Sequence, residues 1–173
     1  VLVAGEGPEL ADGQHVLLDY VAVDAGTGEV VADTYATLPQ VVLLDRDSLG
    51  GPLYELLLGA HEGDRLQRLE FGTERNPNPH VIVADVRPTR ATGEEREADD
   101  SLPAVTREAD GRPVIDTSAA TLPAAVTAVT LIKGNGPQVE PGQSVVIQLV
   151  TTRWSDGEIL DTTWDDAPRV VSL

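Results

Sequence analysis

The sequence predicts an α+β fold: an antiparallel sheet wrapped on one short helix, followed by a second, incomplete copy that is mainly β. Three observations support this prediction. A long stretch of the chain occurs twice, short apolar segments rich in β-branched residues alternate with Gly- and Pro-containing turns, and one segment has helical rather than strand periodicity.

The repeat is the strongest of these signals. The segment "GEGPELADGQHVLLDYVAVDAGTGEVVADTY", residues 5–35, aligns without a gap on "GNGPQVEPGQSVVIQLVTTRWSDGEILDTTW", residues 134–164. Ten positions are identical between the two segments, and most of the others are conservative exchanges. A repeat of this length indicates a duplicated domain.

The first copy reads mainly as strands separated by turns. The segment "HVLLDYVAVD", residues 15–24, predicts a long strand, and "AGTGE" after it predicts a turn into an antiparallel strand at "EVVADTYA". The remaining predicted strands of this copy are Val1–Ala4, Gln40–Asp45, Asp64–Phe71 and a last strand, "HVIVADVRP", that ends at Pro88.

One segment between these strands changes period and predicts the helix. Pro52 suits a first helical turn, Leu53, Leu56 and Leu57 share one face, and Gly59 is suited to the C-cap.

Composition and spacing divide the chain into three parts. Residues 1–88 form the first domain, and residues 89–127 form a charged, proline-containing linker with one hairpin-like turn at Asp110–Gly111. The repeat then resumes over residues 128–173 with a strand from Ala128. This second copy has no helix and no closing strands, so we interpret it as truncated or as borrowing partners from elsewhere.

Composition also excludes several classes of function. A net charge of −17 makes a nucleic-acid backbone or an anionic lipid surface an unfavourable partner. No apolar run reaches the roughly 18 residues of a membrane span. The absence of cysteine excludes disulfides and thiol chemistry. The three histidines lack ligand spacing, and no phosphate-binding loop stands out, so neither a metal nor another cofactor is predicted.

The segment "VEPGQSVVIQLVTTRWSDGEILDTTWD" resembles the start of an FKBP-type peptidyl-prolyl cis-trans isomerase domain. In the first copy, "GPLYELLLGAHEGDRLQRLEF" is similar to the helix and following strand of that family. The resemblance covers about residues 1–88 and 128–173, and the tandem arrangement resembles exported bacterial members. It implies an FKBP-like fold, isomerisation of X-Pro bonds in protein clients, a chaperone role, macrolides as further ligands, and an extracytoplasmic or cell-envelope location.

The chemistry of such a site needs neither acid, base nor metal. Twisting a peptide bond meets a barrier of about 18–20 kcal/mol, which a dry apolar pocket and well-placed donors can lower. By resemblance, Tyr20 and Asp161 are the expected catalytic residues. The expected substrate-binding residues are Val31, Asp33, Leu53, Phe71, Leu149, Leu160 and Trp164.

The first copy departs from the family pattern at the position of the carboxylate. Val31 stands where Phe is usual and Ala32 where Asp is usual, whereas Asp33 comes one residue late. In a strand, one residue places a side chain on the opposite face unless a bulge intervenes. Leu53 falls at the floor of the family's pocket.

Three functions stay open at this stage: an active isomerase, a non-catalytic FKBP-like module that binds clients or partners, and a structural β-rich spacer. The individual residues also have plainer interpretations. Tyr20 is equally well a sheet tyrosine, Asp161 a surface carboxylate, and Leu53 a helix–sheet packing residue.

Overall fold

The computed structural model describes residues 1–72, 78–99 and 101–173. The chain divides into two compact units, Val1–Thr89 and Arg90–Leu173. The regular secondary structure of the described residues is mostly antiparallel sheet with few helices, as in a small α+β or β-rich fold.

The described residues of the first unit form five strands and two helices. In chain order they are β1 His15–Asp24, β2 Val30–Asp33, β3 Gln40–Leu43, α1 Arg46–Leu49, α2 Gly51–Leu57, β4 Arg65–Glu70 and β5 His80–Arg87.

Strand β1 is the centre of the sheet. The strand order is β2-β1-β5-β4. Strand β3 lies on the same edge of β1 as β2: β3 pairs with residues 15–18 of β1, and β2 pairs with residues 21–23. All of these pairs are antiparallel. The even-numbered residues of β1 turn their backbone groups to β2 and β3, because Thr34 N donates to Tyr20 O and Asp24 N donates to Glu29 O. The odd-numbered residues therefore turn theirs to β5.

The core lies on the face of the sheet that the helices cover. Burial of each leucine or valine there contributes about 1.5–3 kcal/mol. The buried cluster consists of Leu10, Val16, Leu18, Leu44, Leu57, Ala60, Leu66 and Val86.

The prediction of a single helix was wrong, because two short helices follow one another. Asp45 begins α1: its Oδ1 accepts from the N–H groups of Asp47 and Ser48, both at 2.9 Å. Gly50, with φ of 72°, separates α1 from α2. A four-residue helix shows no apolar periodicity, so only the capping residue could have signalled it.

A buried turn ties the start of the chain to the sheet. Asp64 is 4% exposed. Its Oδ1 accepts from Gly5 N at 2.6 Å, and its Oδ2 accepts from His61 N at 2.8 Å. A Cβ at Gly5 would lie 2.2 Å from Glu62 O, so this close approach requires glycine. The strand expected over Val1–Ala4 is reduced to a bridge between Val3 and the start of β4.

The described part of the second unit contains four pairs of short strands. They are β6 Glu94–Glu95 with β9 Ile132–Lys133, β7 Ala104–Arg107 with β8 Pro113–Asp116, β10 Ser144–Ile147 with β13 Arg169–Ser172, and β11 Val150–Thr152 with β12 Ile159–Thr162.

Part of the segment expected to be a linker forms strands within this unit. The turn predicted at Asp110–Gly111 is confirmed, since it joins β7 to β8, with Gly111 N donating to Glu108 O. The strand expected from Ala128 is wrong, because the first strand of this region is β9.

The duplication seen in the sequence is present in the backbone pairing. In the first unit Ala22 pairs with Ala32 and Val23 with Val30, across a bulge. The positions that align with them repeat this register and its bulge: Thr151 with Asp161, and Thr152 with Ile159. The pairing of β10 with β13 likewise reproduces that of β1 with β3, position by position.

A threonine hydroxyl fastens the hairpin in both copies. Thr34 Oγ1 accepts from Tyr20 N at 2.7 Å and donates to Asp19 Oδ1 at 3.1 Å. In the second copy, Thr163 Oγ1 accepts from Leu149 N at 2.9 Å and donates to Gln148 Oε1. We call this arrangement the threonine clamp.

We predict that Thr163→Val destabilises the second unit by about 1–3 kcal/mol, because it leaves Leu149 N and Gln148 Oε1 without their partner. Thr163 is 2% exposed. Both tryptophans lie in this unit, so urea unfolding followed by tryptophan fluorescence reports on it.

The matched control is Thr151→Val, on the same hairpin, which removes an exposed hydroxyl and is expected to change stability by less than about 0.5 kcal/mol. Equal effects of the two substitutions would contradict the clamp.

Candidate functional site

The candidate site in the first unit is the helix-covered face of the sheet around Tyr20. Side chains alternate along β1, so Tyr20 lies on the same face as the core residues Val16 and Leu18. Its cross-strand neighbour is Ala84. Leu53 of α2 packs against the same core. The fold therefore brings two of the expected site residues, Tyr20 and Leu53, to one side of the sheet.

Asp33 lies on the other face. It pairs with Val21, whereas Ala32 pairs with Ala22 on the helix-covered face. The bulge in this hairpin falls before Ala32, at Val31, and so does not turn Asp33 toward the helices. Instead, Asp33 Oδ1 accepts from Tyr35 N at 3.0 Å. The carboxylate position on the helix-covered face is occupied by the methyl group of Ala32.

Two other expected residues lie at the surface. Val31, the extra residue of the bulge, is 53% exposed. Phe71 follows the end of β4 and is 80% exposed. Neither is packed as a pocket wall would be. The loop expected after Phe71 falls largely outside the described residues.

In the second copy, Asp161 does occupy the equivalent face. It pairs with Thr151 as Ala32 pairs with Ala22, and Leu149 takes the position of Tyr20. Arg169 donates two hydrogen bonds to the Asp161 carboxylate, at 2.7 and 2.8 Å. These bonds hold the pKa of Asp161 below its ordinary value.

The last two expected residues flank Asp161 but have different surroundings. Leu160 occupies the bulge and is half exposed. Trp164 is partly buried next to the turn of the β7–β8 hairpin, where a Cβ at Gly111 would lie 3.5 Å from its ring. Its Nε1 is buried and has no hydrogen-bond partner among the described residues.

The opposite face of the first sheet carries a polar network that the sequence analysis missed. Arg65 donates to both oxygens of Asp85, at 2.6 and 2.7 Å, and Arg87 lies 3.5 Å from Asp19. Burial and a hydrogen bond to Asp85 raise the pKa of Tyr35 to about 12. The alternating polar residues in β1, β4 and β5 are the sequence signal from which this network could have been predicted. Each carboxylate here has a cationic partner, so the network is suited to stabilising the sheet rather than to proton transfer.

Among residues 1–72, 78–99 and 101–173, no group of three or more histidine or acidic side chains is placed to hold a metal ion. No helix in the described part of the chain is both long and apolar enough to cross a membrane.

The chain matches no model of a known protein family, and it has no significant sequence match among curated proteins.

We predict that Arg169→Gln returns the pKa of Asp161 toward its ordinary value of 3.8, because the substitution removes the cation that stabilises the carboxylate. The free energy gained from the pair is present above that value and is lost as the pH falls through the lowered pKa. Carboxyl-carbon NMR measures this titration directly.

Arg153→Gln is the control, because Arg153 pairs with Asp156 and Glu158 instead. Arg153→Gln should leave the pKa of Asp161 lowered, as it is in the unsubstituted chain. An unchanged Asp161 titration in Arg169→Gln would show that the ion pair does not form in solution.

Proposed function

We propose that this chain is an FKBP-like module that binds proline-containing segments of protein clients, and that its first unit binds them without isomerising the X-Pro bond. One observation carries the proposal. The helix-covered face of the first sheet holds Tyr20 and Leu53, but Ala32 occupies the position at which the resemblance implies a carboxylate.

Binding and catalysis make different demands on this face. A proline ring is held by apolar contact, which an aromatic ring and a leucine can supply. Isomerisation further requires polar groups aimed at the twisted amide. The carboxylate nearest in sequence, Asp33, is on the opposite face and accepts from Tyr35 N.

The arrangement of the elements supports an FKBP-like fold for the first unit. The resemblance implies an antiparallel sheet packed on a short helix, and α2 packs on one face of a five-stranded antiparallel sheet. An extracytoplasmic or cell-envelope location and macrolide binding on the same apolar face belong to this proposal through the resemblance alone.

A second candidate function is prolyl isomerisation by the second copy. It is favoured by Asp161, which lies on the same face of its hairpin as Ala32 does in the first. Leu149 supplies an apolar neighbour there in place of Tyr20. Arg169 keeps Asp161 ionised and fixes its orientation.

We predict that a short Leu-Pro peptide binds the first unit and that Tyr20→Ala weakens binding by about tenfold or more, equivalent to about 1.4 kcal/mol. Titration of the isotope-labelled chain, followed by amide NMR, gives both the affinity and the location. Shifts are expected at Tyr20, Leu53 and Ala84.

Tyr35→Ala is the matched control, because Tyr35 lies in the same unit but its hydroxyl bonds to Asp85 in the network on the opposite face. It should leave the affinity within about twofold. Equal losses in both variants would refute binding on the helix-covered face.

The cis-trans exchange rate of the same Leu-Pro peptide, measured in the presence of the chain, reports catalysis separately from binding. Any rate above the uncatalysed one should vanish in Asp161→Asn and persist in Tyr20→Ala. The reverse pattern would place catalysis in the first unit and overturn the proposed division of roles.

A further inference from the structure

A segment of the second unit is exposed to solvent and belongs to no helix or strand. It consists of residues 122–129, "LPAAVTAV", and every residue in it is exposed. Val126 is 103% exposed, so its side chain is as open to solvent as in an extended peptide. We call residues 122–129 the exposed segment.

The exposed segment lies before the second copy of the repeat. Val1 aligns with Thr130, so residues 122–129 are equivalent to none of the residues that pair in the first unit. In that unit the first backbone hydrogen bond is made by Leu2, whose equivalent is Leu131. The exposure of residues 122–129 is therefore not that of a strand that lacks its partner.

The main chain on either side of the exposed segment is anchored. Thr121 N donates to Ser101 O at 3.2 Å, and Leu131 O accepts from Arg96 N at 2.8 Å. Between these two anchors, no backbone–backbone hydrogen bond joins residues 122–129 to the described residues. The N–H and C=O groups of the segment are therefore available to another molecule.

The side chains of the exposed segment are small and uncharged. It lies within residues 117–132, which contain no charged residue although 24% of the whole chain is charged. Alanine and valine predominate in it, and the hydroxyl of Thr127 donates to Ala125 O at 3.3 Å within the segment. An extended, uncharged chain with free backbone groups and small side chains is suited to a cleft that binds strands and has a small apolar pocket.

We propose that the exposed segment is a cleavage site for an endopeptidase whose specificity pocket is small and apolar. The enzyme cuts after Ala125, Val126 or Ala128. The hydroxyl of a water molecule adds to the carbonyl carbon of that residue, the C–N bond breaks, and the nitrogen takes the remaining proton. The cut falls in no strand, so it leaves both hairpins intact and breaks the covalent link between the two copies. Cleavage here does not require that either copy bind proline.

The chain contains a matched control for sequence. The segment "LPAVT", residues 102–106, closely resembles "LPAAVT", residues 122–127, but it enters β7 at Ala104 and pairs there with β8. An elastase, which has a pocket of the proposed kind, is added to the native full chain, and mass spectrometry identifies the fragments. We expect the first cut within residues 124–129, at least about tenfold faster than after Ala104 or Val105, because a paired strand must open before it can be cut.

Two substitutions test the accessibility of the backbone with a different enzyme. Val126→Arg and Val105→Arg each place a trypsin site at an exposed valine, the first in the exposed segment and the second in β7. Trypsin should cut after position 126 at least about tenfold faster than after position 105.

Equal rates at the two positions with either enzyme, or a first elastase cut elsewhere in the chain, would overturn the proposal. So would cleavage of residues 122–129 only at urea concentrations that unfold the chain, because the segment would then be protected in the folded protein.

Discussion

Strand β1 must satisfy the backbone hydrogen bonds of ten residues on two edges, and this requirement organises the first unit. Its even-numbered residues bond to β2 and β3, and its odd-numbered residues bond to β5. The same alternation decides which side chains meet the helices. The threonine clamp completes the ladder where β2 ends, because the Thr34 hydroxyl accepts from Tyr20 N. In the second copy the equivalent residues, Leu149 and Thr151, keep the bonds to the hairpin partner, and Thr163 keeps the clamp.

The parity of the strands also makes the candidate sites of the two copies different. A bulge at Val31, rather than one residue later, leaves Ala32 on the helix-covered face and Asp33 on the other. In the second copy the identical bulge places Asp161 on the equivalent face. One side chain at one register position thus distinguishes a surface suited to holding an apolar ring from one that also has a carboxylate. The exchange of Ala32 for Asp161 does not change the strand register, so both copies have the same hairpin geometry.

Much of the fold was predictable from particular residues. The alternating pattern of "HVLLDYVAVD" predicted β1 with its observed bounds, and the repeat implied the matching hairpin. The short helix α1 escaped because its cue is a single capping residue, Asp45. The strands within residues 89–127 escaped because short exposed strands carry little apolar pattern. The position of a bulge depends on pairing across strands, so the sequence alone could not predict on which face of the sheet Asp33 lies.

The account depends most on the claim that one hairpin occurs twice, with the same register, bulge and threonine clamp. Amide hydrogen exchange of the full chain, resolved by residue, tests it most directly. We predict protection at Tyr20 and Ala22 and at their equivalents Leu149 and Thr151. Asp19 and Val21, which pair with β5, should also be protected. Fast exchange at Leu149 and Thr151 would contradict the duplicated hairpin.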